Sequence, residues 1–306
     1  MAQSMNGLLQ ELRHGGKAKL ASVLARLEVD PDDSDLTALL TEAYLAPVGQ
    51  VIGLTGPPGV GKSTLAGALI VAYRAKGKSV GVIAIDPSSR RTGGALLGDR
   101  VRLRTDPEDQ QVFIRSMAAR DQLGGLAEIT FGAMVLMRAV YDIVLVETVG
   151  VGQSETDISM AADTVVFCVQ PESGDSLQFM KAGIVEIPDI VVVTKGDMGP
   201  AATRAKADVK GALGMAAEAS LGWAVTVKIV TAMSGEGLPG FMDELAEHWH
   251  WLSREGRLTE RRRVQAESWL KQAIKERYGR EGLKRLGTIS LAPDTAPFGM
   301  LACAED

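Results

Sequence analysis

From about residue 48 to 253, short runs rich in valine and isoleucine alternate with longer stretches whose apolar residues recur every three or four positions. The short runs are Val51 to Thr55, Val80 to Ile85, Val112 to Ile114, Ile143 to Val146, Thr164 to Val169, Ile190 to Val193 and Val225 to Val230. Near-continuous β-branched content marks strands covered on both faces, and the intervening amphipathic segments supply the covering helices. The pattern predicts an α/β fold with a mostly parallel, doubly wound sheet. Upstream, residues 1–46 are helical in pattern. Leu20, Val23, Leu24 and Leu27 form one apolar face, and Leu36, Leu39, Leu40 and Tyr44 form a second after Pro31, with Ser34 as the expected cap. Downstream, residues 254–286 carry eleven Arg/Lys against five Glu. Val264, Leu270, Ile274 and Tyr278 make a thin apolar stripe there, which predicts a long helical arm packing through one side. Residues 290–306 show no clear period. The expected organisation is therefore an N-terminal helical extension (1–46), a central domain (47–253) and a C-terminal arm with its tail (254–306).

One loop carries specific chemistry. Gly56-Pro57-Pro58-Gly59-Val60-Gly61-Lys62-Ser63 fits G-x-x-x-x-G-K-S and lies between the first strand and a helix expected over Thr64 to Lys76. Glycines let successive backbone N–H groups face a phosphate, and the helix N-terminus adds partial positive charge. Lys62 would reach the β- and γ-phosphates and Ser63 would ligate Mg²⁺. Two carboxylates end strands, Asp86 after Val80 to Ile85 and Glu147 after Ile143 to Val146, at the sheet edge where doubly wound folds hold ligands. Glu147 opens Glu-Thr-Val-Gly, a variant of D-x-x-G in which Gly150 would sense the γ-phosphate. Thr194-Lys195-Gly196-Asp197 follows a strand, where guanine sites commonly carry N-K-x-D. Asp197 would accept from the guanine N1–H and exocyclic amine, the stem of Lys195 would cover the ring, and the Thr194 hydroxyl would bond the loop. Thr231-Ala232-Met233 could offer a backbone N–H to the guanine O6. GTP is thereby favoured over ATP. Val151 stands after Gly150 where Ras-like proteins place a water-orienting glutamine; Gln153 lies two residues on, and Arg90, Arg91 and Arg102 follow Asp86. Slow turnover in isolation is the expectation.

Composition narrows the alternatives. A net charge of −5 disfavours a partner nucleic acid held by a general basic field. Cys168, Cys303 and the three histidines form no metal-ligating cluster, and Cys168 reads as a buried strand residue. No signal pattern and no apolar run of about 18 residues is present, so no membrane association and a cytoplasmic or organelle-matrix location are expected.

With these residues placed, the chain resembles the MeaB/ArgK family of GTPases. Asp86-Pro87-Ser88-Ser89-Arg90-Arg91-Thr92-Gly93-Gly94-Ala95-Leu96-Leu97-Gly98-Asp99 follows the family's D-P-S-S-x-x-T-G-G-x-x-L-G-D pattern. Glu147-Thr148-Val149-Gly150-Val151-Gly152-Gln153-Ser154-Glu155 matches its signature string, and Gly174-Asp175 through Lys181-Ala182-Gly183-Ile184 resembles G-D-x-x-Q-x-x-K-x-G-I. The resemblance implies a homodimeric G protein acting as chaperone of an adenosylcobalamin-dependent acyl-CoA mutase, one that gates cofactor delivery and protects or reactivates the mutase. It places Lys62 and Ser63 on phosphate and Mg²⁺, Asp86, Asp99 and Glu147 at the metal site, Arg90 and Arg91 in a switch, and Asp175 and Lys181 in a segment reporting to the mutase. No D-x-H-x-x-G motif is present, which argues against cobalamin binding of that type. T-K-G-D in place of N-K-A-D is a departure that bears on nucleotide affinity. Two other functions compete: a kinase or ATPase linked to transport binding proteins, and a metallocentre-loading GTPase, which would need Cys/His clusters that the chain lacks.

Overall fold

The computed structural model describes residues 2–87, 106, 108–119, 128–148, 158–172, 187–216 and 222–302, with the side chains of a few bordering residues left aside. Seven strands form one sheet: β1 (Gln50–Thr55), β2 (Val80–Pro87), β3 (Val112–Ala119), β4 (Ile143–Glu147), β5 (Thr164–Val169), β6 (Ile190–Val193) and β7 (Thr226–Ile229). Their order is β3-β2-β4-β1-β5-β6-β7, and all the pairings are parallel. The mostly parallel expectation is thus met throughout. Parallel strands need crossovers, and among the described residues helices supply those after β1, β3 and β6, on both faces of the sheet.

Helix α4 (Lys62–Ala75) and helix α7 (Leu238–Leu252) cover one face, closing over Ile52, Leu54, Val82, Leu145, Val166 and Val192. The opposite face presents Val51, Ile83, Val144 and Val165 to helix α5 (Glu128–Arg138). At its other end Phe167, Val191 and Val193 meet helix α6 (Pro200–Ala216). The N-terminal helices α1 (Ala2–His14), α2 (Gly16–Val29) and α3 (Ser34–Leu45) add an outer layer, α2 and α3 packing on α5. Leu20, Val23, Leu24, Leu27, Leu36, Leu39, Leu40 and Tyr44 are buried as their spacing predicts. The cap of α3 is Asp33 rather than Ser34. Its carboxylate accepts from the N–H groups of Asp35 (2.9 Å) and Leu36 (3.1 Å), satisfying donors at the helix start.

The C-terminal helix α8 (Arg257–Leu286) is pinned beneath the N-terminal ends of the strands. Arg262 makes two bonds to the fully buried Asp163 (2.8 and 2.7 Å) and Arg261 two to Asp189 (3.0 and 2.7 Å). Gln265 donates to the carbonyls of Ser159 and Ala162 (2.8 and 2.7 Å). The arm's buried side is Gln265, Ala266, Trp269, Leu270, Ala273 and Ile274, whereas Val264, expected in the stripe, is 46% exposed. The difference arises because the first turns face the sheet through charged and amide groups, which an apolar periodicity does not register. The helical run is kinked at Gly279, whose φ is +63°. Beyond it Ile289, Leu291, Phe298 and Leu301 are buried and Phe298–Ala302 forms helix α9, so the stretch without periodicity is ordered by packing as far as Ala302.

Candidate functional site

Because every strand runs the same way, the loops after β1, β4, β5, β6 and β7 open on one edge of the sheet. β1 sits at its centre, and the phosphate-binding loop springs from it. Gly56 has φ +133°, and a Cβ there would lie 2.3 Å from the carbonyl oxygen of Cys168 on β5, so only glycine lets the chain leave the strand this way. Gly61, with φ +104°, caps α4 and turns the loop into the helix. Lys62 is buried, and its Nζ donates to the carbonyls of Gly56 (2.7 Å) and Pro57 (3.0 Å), holding the loop closed on itself. Pro58, Gly59 and Thr64 are exposed at the loop's outer rim.

β4 lies beside β1 and ends at the buried Glu147. Ser63 Oγ donates to Glu147 Oε1 at 2.6 Å, so two oxygen donors meet at the start of α4. Next to them Thr148 Oγ1 donates to Thr55 Oγ1 at 3.0 Å, a tie between the two strand ends that the sequence does not signal. Among the described residues no group of three or more His, Cys, Asp or Glu could hold a metal ion. An oxygen-only pair at the head of a phosphate loop suits Mg²⁺, which takes few protein ligands and completes its shell with phosphate and water. The donor chemistry therefore fits. Asp86 is the penultimate residue of β2, the strand on the other side of β4, which runs one residue further to Pro87.

The base-reading loop lies alongside. Thr194 Oγ1 is 2.6 Å from the carbonyl oxygen of Val60 and 3.0 Å from that of Val169, joining this loop to the phosphate loop. Lys195 adopts φ +53°, and its Nζ donates to Gln170 Oε1 at the end of β5. Gln170 carries no motif that marks it in the sequence, although a polar residue ending the apolar run Thr164–Val169 is a usable signal. Gly196 donates to the Val230 carbonyl (3.3 Å), and a Cβ on it would come within 2.8 Å of both Ile229 Cγ2 and Thr231 Oγ1. Asp197 is exposed in the short 3₁₀ turn Gly196–Met198. Thr231 is buried with Ala232 beside it, and Met233 is 87% exposed. Cys168 lies behind the loop, its thiol pushed up to about 12 by burial, which leaves it inert at neutral pH.

The structure thus brings Gly56 through Thr64, Glu147, Thr194, Lys195 and Thr231 together on one sheet edge. Arg90, Arg91, Asp99, Arg102, Gly150, Val151, Gln153, Asp175, Lys181 and the side chain of Asp86 lie outside the described residues.

A strand–phosphate loop–helix unit at the centre of a parallel sheet, with a base loop bonded to it, defines a P-loop nucleotide hydrolase of the G-protein class. The chain belongs to the methylmalonyl-CoA mutase-associated GTPase MeaB family, whose model matches residues 24–283. A Pyrococcus abyssi protein named as a GTPase is 42% identical over 270 residues, spanning 87% of this chain and 83% of the relative. The methylmalonic aciduria type A homolog of Mus musculus, a mitochondrial protein, is 37% identical over 275 residues, spanning 88% of this chain and 64% of the relative. Among solved structures, a LAO/AO transport system kinase superposes with a TM-score of 0.68 at 25% identity, covering 98% of this chain and 97% of that one. HypB from Helicobacter pylori, in complex with nickel, reaches 0.50 at 20% identity over 70% of this chain and 93% of its own, a likeness of fold alone. The protein is a GTPase that binds GTP and releases GDP. Among the described residues no helix is long and apolar enough to cross a membrane.

Proposed function

We propose that this GTPase times the cofactor loading and protection of an adenosylcobalamin-dependent acyl-CoA mutase, working as a homodimer. The reading is carried by the match to a mutase-associated family over residues 24–283 and supported by the mouse relative. In this reading residues 47–253 form the nucleotide-binding body, residues 1–46 an extension, and residues 254–306 the arm through which two copies pair.

The residues divide the work as follows. Lys62 exchanges its two loop carbonyls for β- and γ-phosphate oxygens and neutralises charge that builds as the γ-phosphoryl group leaves. The loop from Gly56 to Thr64 cradles the phosphates, with backbone N–H groups from Gly59 through Thr64, since Pro57 and Pro58 have none to give. Ser63 and Glu147, with Asp86 and Asp99, would hold Mg²⁺, which when bound would supply further positive charge to the phosphates. Asp197 accepts from the Watson–Crick edge of guanine, Lys195 lies along the ring, and the backbone of Thr231, Ala232 and Met233 meets O6. Gly150 and Gln153 sense the γ-phosphate and the attacking water, Arg90 and Arg91 lie in the neighbouring switch, and Asp175 and Lys181 report nucleotide state to the mutase.

A kinase reading has in its favour the likeness, over nearly the whole chain, to a LAO/AO transport system kinase. Incubation with labelled GTP and ATP separates the two, since a kinase would move label to a protein acceptor. The mutase reading is tested by the GTP hydrolysis rate against the concentration of candidate mutases. The cognate mutase should raise the rate several-fold or more, and by linkage the nucleotide should alter mutase affinity. If no acyl-CoA mutase changes the rate or binds in a nucleotide-dependent way, the chaperone reading fails.

A further inference from the structure

Strand β6 delivers Thr194 into a buried position between the phosphate loop and the end of β5. Its backbone N–H donates to the Val169 carbonyl at 2.8 Å. Its hydroxyl faces two carbonyl oxygens, that of Val60 at 2.6 Å and that of Val169 at 3.0 Å. A threonine hydroxyl carries one proton, and both neighbours are acceptors. The proton is therefore committed to the loop, mainly to the closer Val60, and the hydroxyl has only lone pairs to show any further group. Guanine's N7 and O6 are themselves acceptors. A purine seated over this loop would turn an acceptor towards an oxygen that has nothing left to donate. The neighbouring backbone does not compensate, because the Gly196 N–H is already bonded to Val230 and Gly196 is packed against Ile229 and Thr231. An asparagine amide differs in having two N–H protons, so it could hold Val60 and still donate to the base.

We propose that Thr194 is a positioning residue that fastens the base loop to the phosphate loop and, having spent its one proton there, contributes no hydrogen bond to N7 of the purine. Recognition then rests on Asp197 at the opposite edge of the base and on the 231–233 backbone at O6, and GDP leaves readily. The inference rests on the guanine reading of this loop and adds which edge of the base goes unread.

The test compares GDP with 7-deaza-GDP, in which N7 is replaced by C–H, using displacement of a fluorescent guanine nucleotide from the full chain. Wild-type protein should bind the two within about twofold, since no N7 hydrogen bond is lost. Thr194→Asn should prefer GDP over 7-deaza-GDP by about three- to tenfold, with slower GDP release, the gain expected for one added hydrogen bond. A wild-type preference for GDP of about fivefold or more would overturn the inference, as would a folded Thr194→Asn protein that fails to discriminate. If the variant does not fold, the wild-type comparison alone decides. ADP serves as the control. ADP bound as tightly as GDP would remove the guanine reading itself and this inference with it, whereas selective GDP binding combined with strong discrimination against 7-deaza-GDP would remove this inference alone.

Discussion

Replacing Arg261 by methionine tests how the C-terminal helix is held. Asp189 precedes β6 with its side chain 13% exposed; its carboxylate accepts from Arg261 (3.0 and 2.7 Å) and from the Val165 N–H (2.7 Å), and His248 Nε2 lies 3.3 Å away. Burial alone would raise this carboxyl's pKa, but Arg261 and then His248 outweigh it and hold the group at about 2 rather than 3.8. A folded-state value below the unfolded one contributes stability above about pH 4, and that contribution disappears as pH falls through about 2. The difference corresponds to ~2 kcal/mol. Arg261 is partly solvent-exposed, so its removal should cost about 2–3 kcal/mol at pH 7, below the usual range for breaking a fully buried pair. Urea unfolding of both proteins from pH 7 down to pH 2.5 measures this. The expected gap is widest at neutral pH and closes in acid as Asp189 is protonated, while other carboxylates, Asp163 among them, titrate in both proteins and cancel. A gap that stays constant with pH, or no gap at all, would refute the assignment of this stabilisation to the Arg261–Asp189 pair.

Lys62→Ala should lower GTP turnover by about a hundredfold or more while leaving the fold intact, since the side chain's part is electrostatic; single-turnover hydrolysis with a circular dichroism control checks both halves. Lys181→Ala should blunt stimulation by the cognate mutase and leave intrinsic turnover nearly unchanged. Equal stimulation of the two proteins would release Lys181 from that role.

Much of the fold is legible in the sequence because strands covered on both faces need apolar side chains throughout, and the valine and isoleucine runs say so directly. β3 is the instructive exception. Its apolar run predicts Val112 to Ile114, but the strand extends to Ala119, because Arg115 interrupts the run and yet stays in the strand by pairing with Glu28 on α2 at 2.6 Å. The same blindness hides the inward face of α8, where Arg261, Arg262 and Gln265 point at the sheet and look like solvent-facing residues to any apolar count. The phosphate loop is legible because its chemistry is local: successive N–H groups, one lysine and one hydroxyl within eight residues. Glu147 is legible as an acid ending a strand. The Thr194 contact with Val60 joins residues 134 apart, so the motif supplies the residue type and only the folded chain supplies its acceptors.

The central claim, that this edge of the sheet hydrolyses GTP by reading guanine through Asp197, is tested most directly by base exchange. Hydrolysis of GTP, ATP and xanthosine triphosphate should be measured side by side for the wild-type protein and Asp197→Asn. A carboxylate matches the N–H groups of guanine, whereas an amide can donate to the 2-oxo group of xanthine. Wild-type protein should favour GTP over both others, and Asp197→Asn should lose GTP and gain xanthosine triphosphate. Unchanged preference for GTP in the variant, or equal use of ATP by the wild type, would contradict the account.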